Sequence, residues 1–321
     1  MNSHTTAKYV LKQWAFDGPT RGSKRLWRYE KDHSIELQEG LNSATAHKGH
    51  FVHPHFPTKE AELEHRLNVE VEQPVNKFLA DLKYRVFDID AGRRALLTRY
   101  ITVQFHRSLH RKSLKHDHRD LKIDTLKDVA ANKSEVAAIA DRYSITPEEA
   151  LEGLNRTITR HSTDEQSQRE YFEMVEQMID YTDETLLAGE WERVFTEAND
   201  PFVIGDAPVV TWNRVNDIPV PGFGFGTPDV EVLFPIAPTA CLHIAPRVQR
   251  TRRVKTPTVR EINEVQAAFA TQYCFSNIKS EELDAILQPK FRTCRMGVNG
   301  FNIVGFDFHR KMFEALVNAG S

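Results

Sequence analysis

Leu187-Ala-Gly-Glu-Trp191-Glu-Arg-Val-Phe195 is where this chain changes character. Upstream lie long stretches with helical periodicity; from Trp191 onward the apolar residues cluster in short β-like runs punctuated by Pro and Gly. Working back, helices are expected over Asp164–Leu187, Pro147–Ile158, Leu126–Ala140, Arg93 to about Arg119, and Lys59–Leu82. Thr146-Pro147 with Glu149 is a capping-box start. Pro74 predicts a kink or a break within Lys59–Leu82, because proline lacks the N–H that a helix interior needs. Working forward, strands are expected at Trp191–Phe195, Phe202–Ile204, Val209–Trp212, Val230–Phe234 and Cys241–Ile244. A helix at Thr258–Thr271, a strand at Tyr273–Phe275 and a further strand at Asn299–Phe308 follow. Two short strands, 8–15 and 25–30, open the chain around the turn Asp17-Gly18-Pro19. The order β, then α, then β lacks the alternation of a doubly wound sheet. The expectation is therefore an α+β fold: N-terminal short strands, a central helical bundle and a C-terminal mixed or antiparallel sheet. It is read as one domain over 1–321, with a helical core at 58–188 and mostly β structure at 1–57 and 189–310. The N-terminal strands are expected to join the late sheet.

A chain of 321 residues can bury a sizeable core. A net charge of −3 excludes a globally basic nucleic-acid coat. No run of about 18 apolar residues appears, so no membrane span is expected. Cys241, Cys274 and Cys294 lack metal-ligand spacing, and an odd count argues against a disulfide framework, so a cytoplasmic protein is expected.

Polar groups on apolar helix faces carry the functional argument. At about 100° per residue, Leu96, Leu97, Tyr100 and Ile101 define an arc. Arg93, Gln104 and Arg111 fall inside it and Arg107 sits at its edge. Glu60 and Glu64 share the apolar arc of the preceding helix, with Glu72 toward its boundary. A buried guanidinium requires an opposite charge. Either these acids neutralise the arginines and staple the helices together, or the group lines a pocket for a phosphate or carboxylate.

The histidines are weaker signals. His47, His50, His53 and His55 lie close together, and His106/His110 have the i, i+4 spacing of a zinc pair. The first group lacks a cysteine or carboxylate at ligand spacing; the second lacks the glutamate of a zinc-protease helix and points off the apolar face. Neither is read as a metal site. The segments Arg107–Lys122 and Arg247–Lys255 are basic and suit nucleic acid or another polyanion, or else a solvated loop. Tyr9, Trp14, Trp27 and Tyr29 suit either base stacking or a strand core.

Several fragments in order carry a family resemblance. They are His4, Tyr9, Leu11, Lys12 and Trp14; Glu72 with Leu79 and Leu82; Gln104-x-x-Arg107; Phe202-Val-Ile-Gly-Asp206-Ala-Pro208-Val; Phe234-Pro235-Ile-Ala-Pro238; and Ile262-Asn263. Over roughly residues 4–287 the chain resembles the bacterial domain-of-unknown-function family numbered 4238. Thr5, Ala7 and Lys8 depart from its opening motif, and its Ser-Asp-Asn-Pro is Gly205-Asp206-Ala207-Pro208 here. The resemblance implies a shared site of His4, Glu72, Gln104, Arg107 and Asp206, and the kind of family suggests a bacterial or phage-associated defence or toxin role. It supplies no reaction.

Two functions follow as expectations. In the first, the chain is a phosphodiester hydrolase, a nuclease. His4 is then the general acid or base, Arg107 stabilises phosphate charge, and Glu72 and Asp206 orient the base or hold a divalent cation such as Mg. Gln104, Arg111, Glu64 and Asn263 bind substrate. In the second, the Arg/Glu/Gln network is structural in a non-catalytic nucleotide- or nucleic-acid-binding or interaction protein.

Overall fold

A computed structural model describes residues 2–4, 8–30, 34–41, 46–48, 58–108, 112, 120, 123–213, 224–227, 230–245 and 255–290. The expected strand at Asn299–Phe308 lies outside them.

The N-terminus folds differently from expectation. Residues 8–15 form a short helix, α1 (Lys8–Leu11), rather than a strand. Val10, Leu11 and Trp14 are all buried, a one-sided spacing that suits a helical turn and not alternation. The Trp14 indole also donates to the Phe202 carbonyl at 2.9 Å, tying the N-terminus to the late half of the chain. Strands β1 (Asn2–His4), β2 (Phe16–Asp17), β3 (Lys24–Glu30), β4 (Ile35–Glu39) and β5 (Ala46–Lys48) account for the rest of this region. β1 pairs only with β5 among the described strands.

The helix expected over Lys59–Leu82 is one continuous helical rod with a change of pitch. α2 (Thr58–Arg66) passes into a π-helical segment, Leu67–Glu72, and then into α3 (Gln73–Leu79) and a 3₁₀ turn at Ala80–Lys83. Pro74 neither breaks nor ends it. In an α-helix its missing N–H would leave the Glu70 carbonyl unbonded, and its ring would press on that carbonyl. The wider π turn occurs just where this conflict falls, and Pro74 then sits in the first turn of α3.

α4 (Ala91–His106) starts on the Asp90 side chain, which accepts from Arg93 N at 2.8 Å. It ends far short of Arg119, with Arg107 as its C-cap, where the Ser108 hydroxyl donates to the Phe105 carbonyl. Leu97, Thr98 and every residue from Tyr100 to Phe105 are buried. From Tyr100 to Phe105 the helix has no solvent face, so its polar side chains there are removed from water.

The expected helix at 126–140 is split at Asn132 into α5 (residues 123–131) and α6 (Lys133–Tyr143), because the Asn132 carboxamide caps Ser134 N. α7 (Pro147–His161) begins with the expected capping box of Thr146 and Glu149. Leu126, Val136, Ala140, Ala150 and Leu154 give α5–α7 a small core of their own. The expected helix at 164–187 divides into α8 (Asp164–Asp180) and α9 (Glu184–Leu187), since Tyr181 is extended and Asp183 caps Leu186 N.

Two antiparallel sheets follow. One has the order β6-β10-β9-β8, built from β6 (Glu190–Phe195), β8 (Val210–Asn213), β9 (Val230–Ala237) and β10 (Ala240–Ala245). Its two central strands are buried throughout. Val232, Phe234, Leu242 and Ile244 join the core shared with the helices. Leu233 and Cys241 instead pack with Ile262, Val265 and Phe269 of α10 (Val259–Phe269). Burial on both faces explains why these runs are mostly apolar rather than alternating.

The other sheet runs β2-β3-β11-β7, with β4 on the far edge of β3. Here β11 (Tyr273–Ser276) lies between β3 and β7 (Ile204–Gly205), so the N-terminal strands do join the late sheet. Of the expected Phe202–Ile204 strand only Ile204 is paired, and the strand runs on to Gly205. A methyl group at Gly205 would meet the Gln266 carbonyl at 3.2 Å, so the close packing of α10 favours glycine there. A further helix, α11 (Glu281–Leu287), is not among those expected.

Candidate functional site

Tyr100, Gln104 and Arg107 recur at helical spacing on one side of α4. The π segment of the preceding rod ends opposite them on Glu72. Arg107 Nη1 lies 2.6 Å from Glu72 Oε1, with the two side chains 1% and 12% exposed. Burial by itself lowers the Arg107 pKa, but Glu72, then Glu64 and Tyr100, outweigh it and the net shift is upward. Glu64 therefore belongs to the same charge group. Burial, reinforced by the Glu72 charge, holds the Tyr100 phenol well above its ordinary value, so it stays neutral. Gln104 is fully buried, and neither atom of its carboxamide has a hydrogen-bond partner among the described residues. The Tyr100 hydroxyl likewise has none among them. A charged pair and a neutral phenol thus act on one another between two helices, and helical spacing sets the buried Gln104 on the same side of α4.

The structure brings Glu72 into contact with Arg107, with Glu64 acting on the same guanidinium, and engages Asp206 and Asn263 with backbone elsewhere. The Asp206 carboxylate accepts backbone N–H groups of Thr271, Gln272 and Tyr273 at 2.7, 2.6 and 3.3 Å, clamping the turn between α10 and β11. Asn263 accepts from Val203 N at 2.9 Å and donates to the Pro201 carbonyl at 3.0 Å. Gln266 does the same for Gly205 and Pro208. Both residues hold the 201–208 segment against α10, with each end of the Asn263 carboxamide bonded to backbone. Asn263→Leu should destabilise the chain by about 2–4 kcal/mol, as two buried backbone groups lose partners; urea denaturation measures this.

His4 ends β1, its backbone opposite Ala46; its imidazole lies outside the described part of the structure, as do Arg111, His50, His53, His55 and His110. Among the described residues no cluster of three or more His, Cys, Asp or Glu side chains is arranged to hold a metal ion. The expected Glu72/Asp206 cation site meets a physical objection: each carboxylate already faces strong donors, a guanidinium in one case and three amides in the other.

Of the basic segments, only Arg107, Ser108, Lys112, Asp120 and Lys255 are described. Lys112 is half-buried over the Tyr171 ring, its pKa lowered by burial and partly restored by Glu60. Trp14 and Tyr29 are core residues, which removes them from base stacking.

Sequence reasoning missed one polar cluster. His243 on β10 places Nε2 2.6 Å from Glu231 on β9 and Nδ1 3.4 Å from Glu192 on β6. Thr256 donates to Glu192 at 3.0 Å. The signal was present: a Glu and a His sit within the otherwise apolar runs Val230–Phe234 and Cys241–Ile244. With a carboxylate facing each ring nitrogen, the cluster is a clasp across three strands.

No helix among the described residues is long and apolar enough to cross a membrane. No curated protein and no solved structure matches this chain. The profile of the family described as "Protein of unknown function (DUF4238)" matches residues 2–280. The order of the fragments around His4, Glu72, Gln104, Arg107 and Asp206 is thus explained: the chain belongs to the DUF4238 family.

Proposed function

We propose that this chain is a hydrolase acting on phosphodiesters, a nuclease, with its anion-handling group at Glu72–Arg107. The observation that carries the reading is the buried guanidinium beside a carboxamide whose polar atoms have no partner among the described residues. A π-helical segment ends at the same place, and such segments recur at functional sites. In this reading Arg107 holds phosphate charge, Glu72 sets the guanidinium plane, and His4 moves the proton. The proposal places the protein in the bacterial cytosol, in a defence setting, with nucleic acid as partner.

The test uses the purified chain with single- and double-stranded RNA and DNA. Arg107→Lys keeps the charge but loses the planar fork, and is expected to cut the cleavage rate about 10²-fold or more. His4→Ala is expected to lower cleavage by a similar factor. Undiminished cleavage by both variants would remove the proposal.

One observation favours the second reading, a non-catalytic nucleotide-binding or interaction protein: Arg107 already has a carboxylate in contact. In that case the wild type cleaves nothing and Arg107 variants change only stability.

A further inference from the structure

α7 turns Ala150 and Leu154 into the small core of α5–α7 and leaves its opposite side bare. Glu148, Leu151, Glu152, Asn155, Arg156 and Arg160 recur every three or four residues along that side. All are exposed, and they border an open groove of about 610 Å³ whose wall, among the described residues, is this one helix. None of these side chains bonds to another element among the described residues. Arg156 approaches Glu152 at 3.9 Å within the helix, but with the two 74% and 69% exposed that pair contributes little. Leu151, 37% exposed, stands among the charges. The charges are segregated and mirror-spaced: Glu148 and Arg160 lie six positions before and after Leu154, Glu152 and Arg156 two positions before and after it.

We infer that this face of α7 is a contact between two copies of the chain, packed antiparallel about a two-fold axis level with Leu154. A stripe with this spacing is complementary to its own reverse. Laid antiparallel on a second copy, Glu148 meets Arg160 of the partner subunit and Glu152 meets Arg156 of the partner subunit, each twice because the contact is isologous. Laid parallel, acid would face acid and arginine would face arginine, and such charges set the orientation of paired helices. Antiparallel packing also opposes the two helix dipoles. The dipole of α7 itself accounts for acids early and bases late, but not for the mirrored spacing or for Leu151 left in water. The module has its own reason to associate, since a helical unit of about 40 residues with a small separate core draws stability from further packing. One helix against another buries less than the roughly 1,200–2,000 Å² of a stable complex, so the dimer is weak and reversible. It takes nothing from the Glu72–Arg107 site and stands apart from the phosphodiester reading.

Sedimentation equilibrium of the full chain tests this by measuring mass against concentration at low and high salt. The wild type is expected to pass from monomer to dimer as concentration rises, and to fall back in high salt. Glu148→Arg with Glu152→Arg, and separately Arg156→Glu with Arg160→Glu, set like charges across the axis, and each should weaken self-association about tenfold or more. Mixing these two double variants brings opposite charges together again and should restore the dimer. All four substitutions in one chain should also restore it, because the reversed stripe again matches its own reverse, while that chain should not pair with the wild type. Arg156→Gln with Arg160→Gln keeps helix propensity and should weaken the dimer in the same direction, which separates lost contact from a lost helix. A wild type that stays monomeric overturns the inference. So does a dimer indifferent to these variants, a mixture that stays monomeric, or a fourfold variant that pairs with the wild type.

Discussion

Arg107→Ala is expected to lower the unfolding free energy by about 3–5 kcal/mol, the usual consequence of removing one partner from a buried ion pair. The loss has three sources. Glu72 keeps a largely buried carboxylate with no guanidinium beside it, Glu64 loses the charge that offset its own, and the space left at the end of α4 lies against packed neighbours. Water reaching Glu72 at its 12% exposure relieves part of this, so the lower end of the range is expected. Arg107→Met combined with Glu72→Leu should recover more than half of the loss, because a hydrophobic pair of similar volume avoids the desolvation of two charges. Denaturant titration of the two single variants and the double variant measures the coupling. Strictly additive losses would mean that the pair does not act as a unit. The same cycle bears on function: a double variant that folds well and has lost nucleic-acid cleavage would separate the chemistry of the pair from its contribution to stability.

Asp206→Ala is expected to cost about 3–5 kcal/mol, with Asp206→Asn losing roughly half as much. Hydrogen bonds to a charged group contribute about 1.5–3 kcal/mol each, and three sharing one carboxylate add less than their sum. The bonded amides belong to the turn that delivers β11, the strand joining the N-terminal β3 to β7. Hydrogen exchange should therefore rise first at the backbone amides of β11 and the adjoining edge of β3. A loss below about 1 kcal/mol would show the clamp to be dispensable. Any loss of activity in these variants should track unfolding, since the carboxylate holds the fold.

How much of this was legible in the chain follows from which interactions are local. The capping box at Thr146, the helices α4, α7 and α10, and the strands after Trp191 follow from short-range patterns, since caps and apolar periodicity act within a few residues. The charge anomaly on the helix around Gln104 was legible for the same reason. The partner of Arg107 was legible only as one of two acids, Glu64 or Glu72. Glu64 and Glu60 project onto the apolar arc of an ideal helix and Glu72 to its boundary, yet Glu72 makes the contact, because the π segment before Pro74 changes the phase of the rod. The backbone groups that Asp206 and Asn263 hold were not legible either, since they lie about 60 or more positions away in sequence. Composition and periodicity thus determined the class of fold and the presence of buried charge. Which charges meet, and which polar side chains are spent on backbone, was decided only when distant segments packed, because those choices depend on helix phase and on contacts that no local window contains.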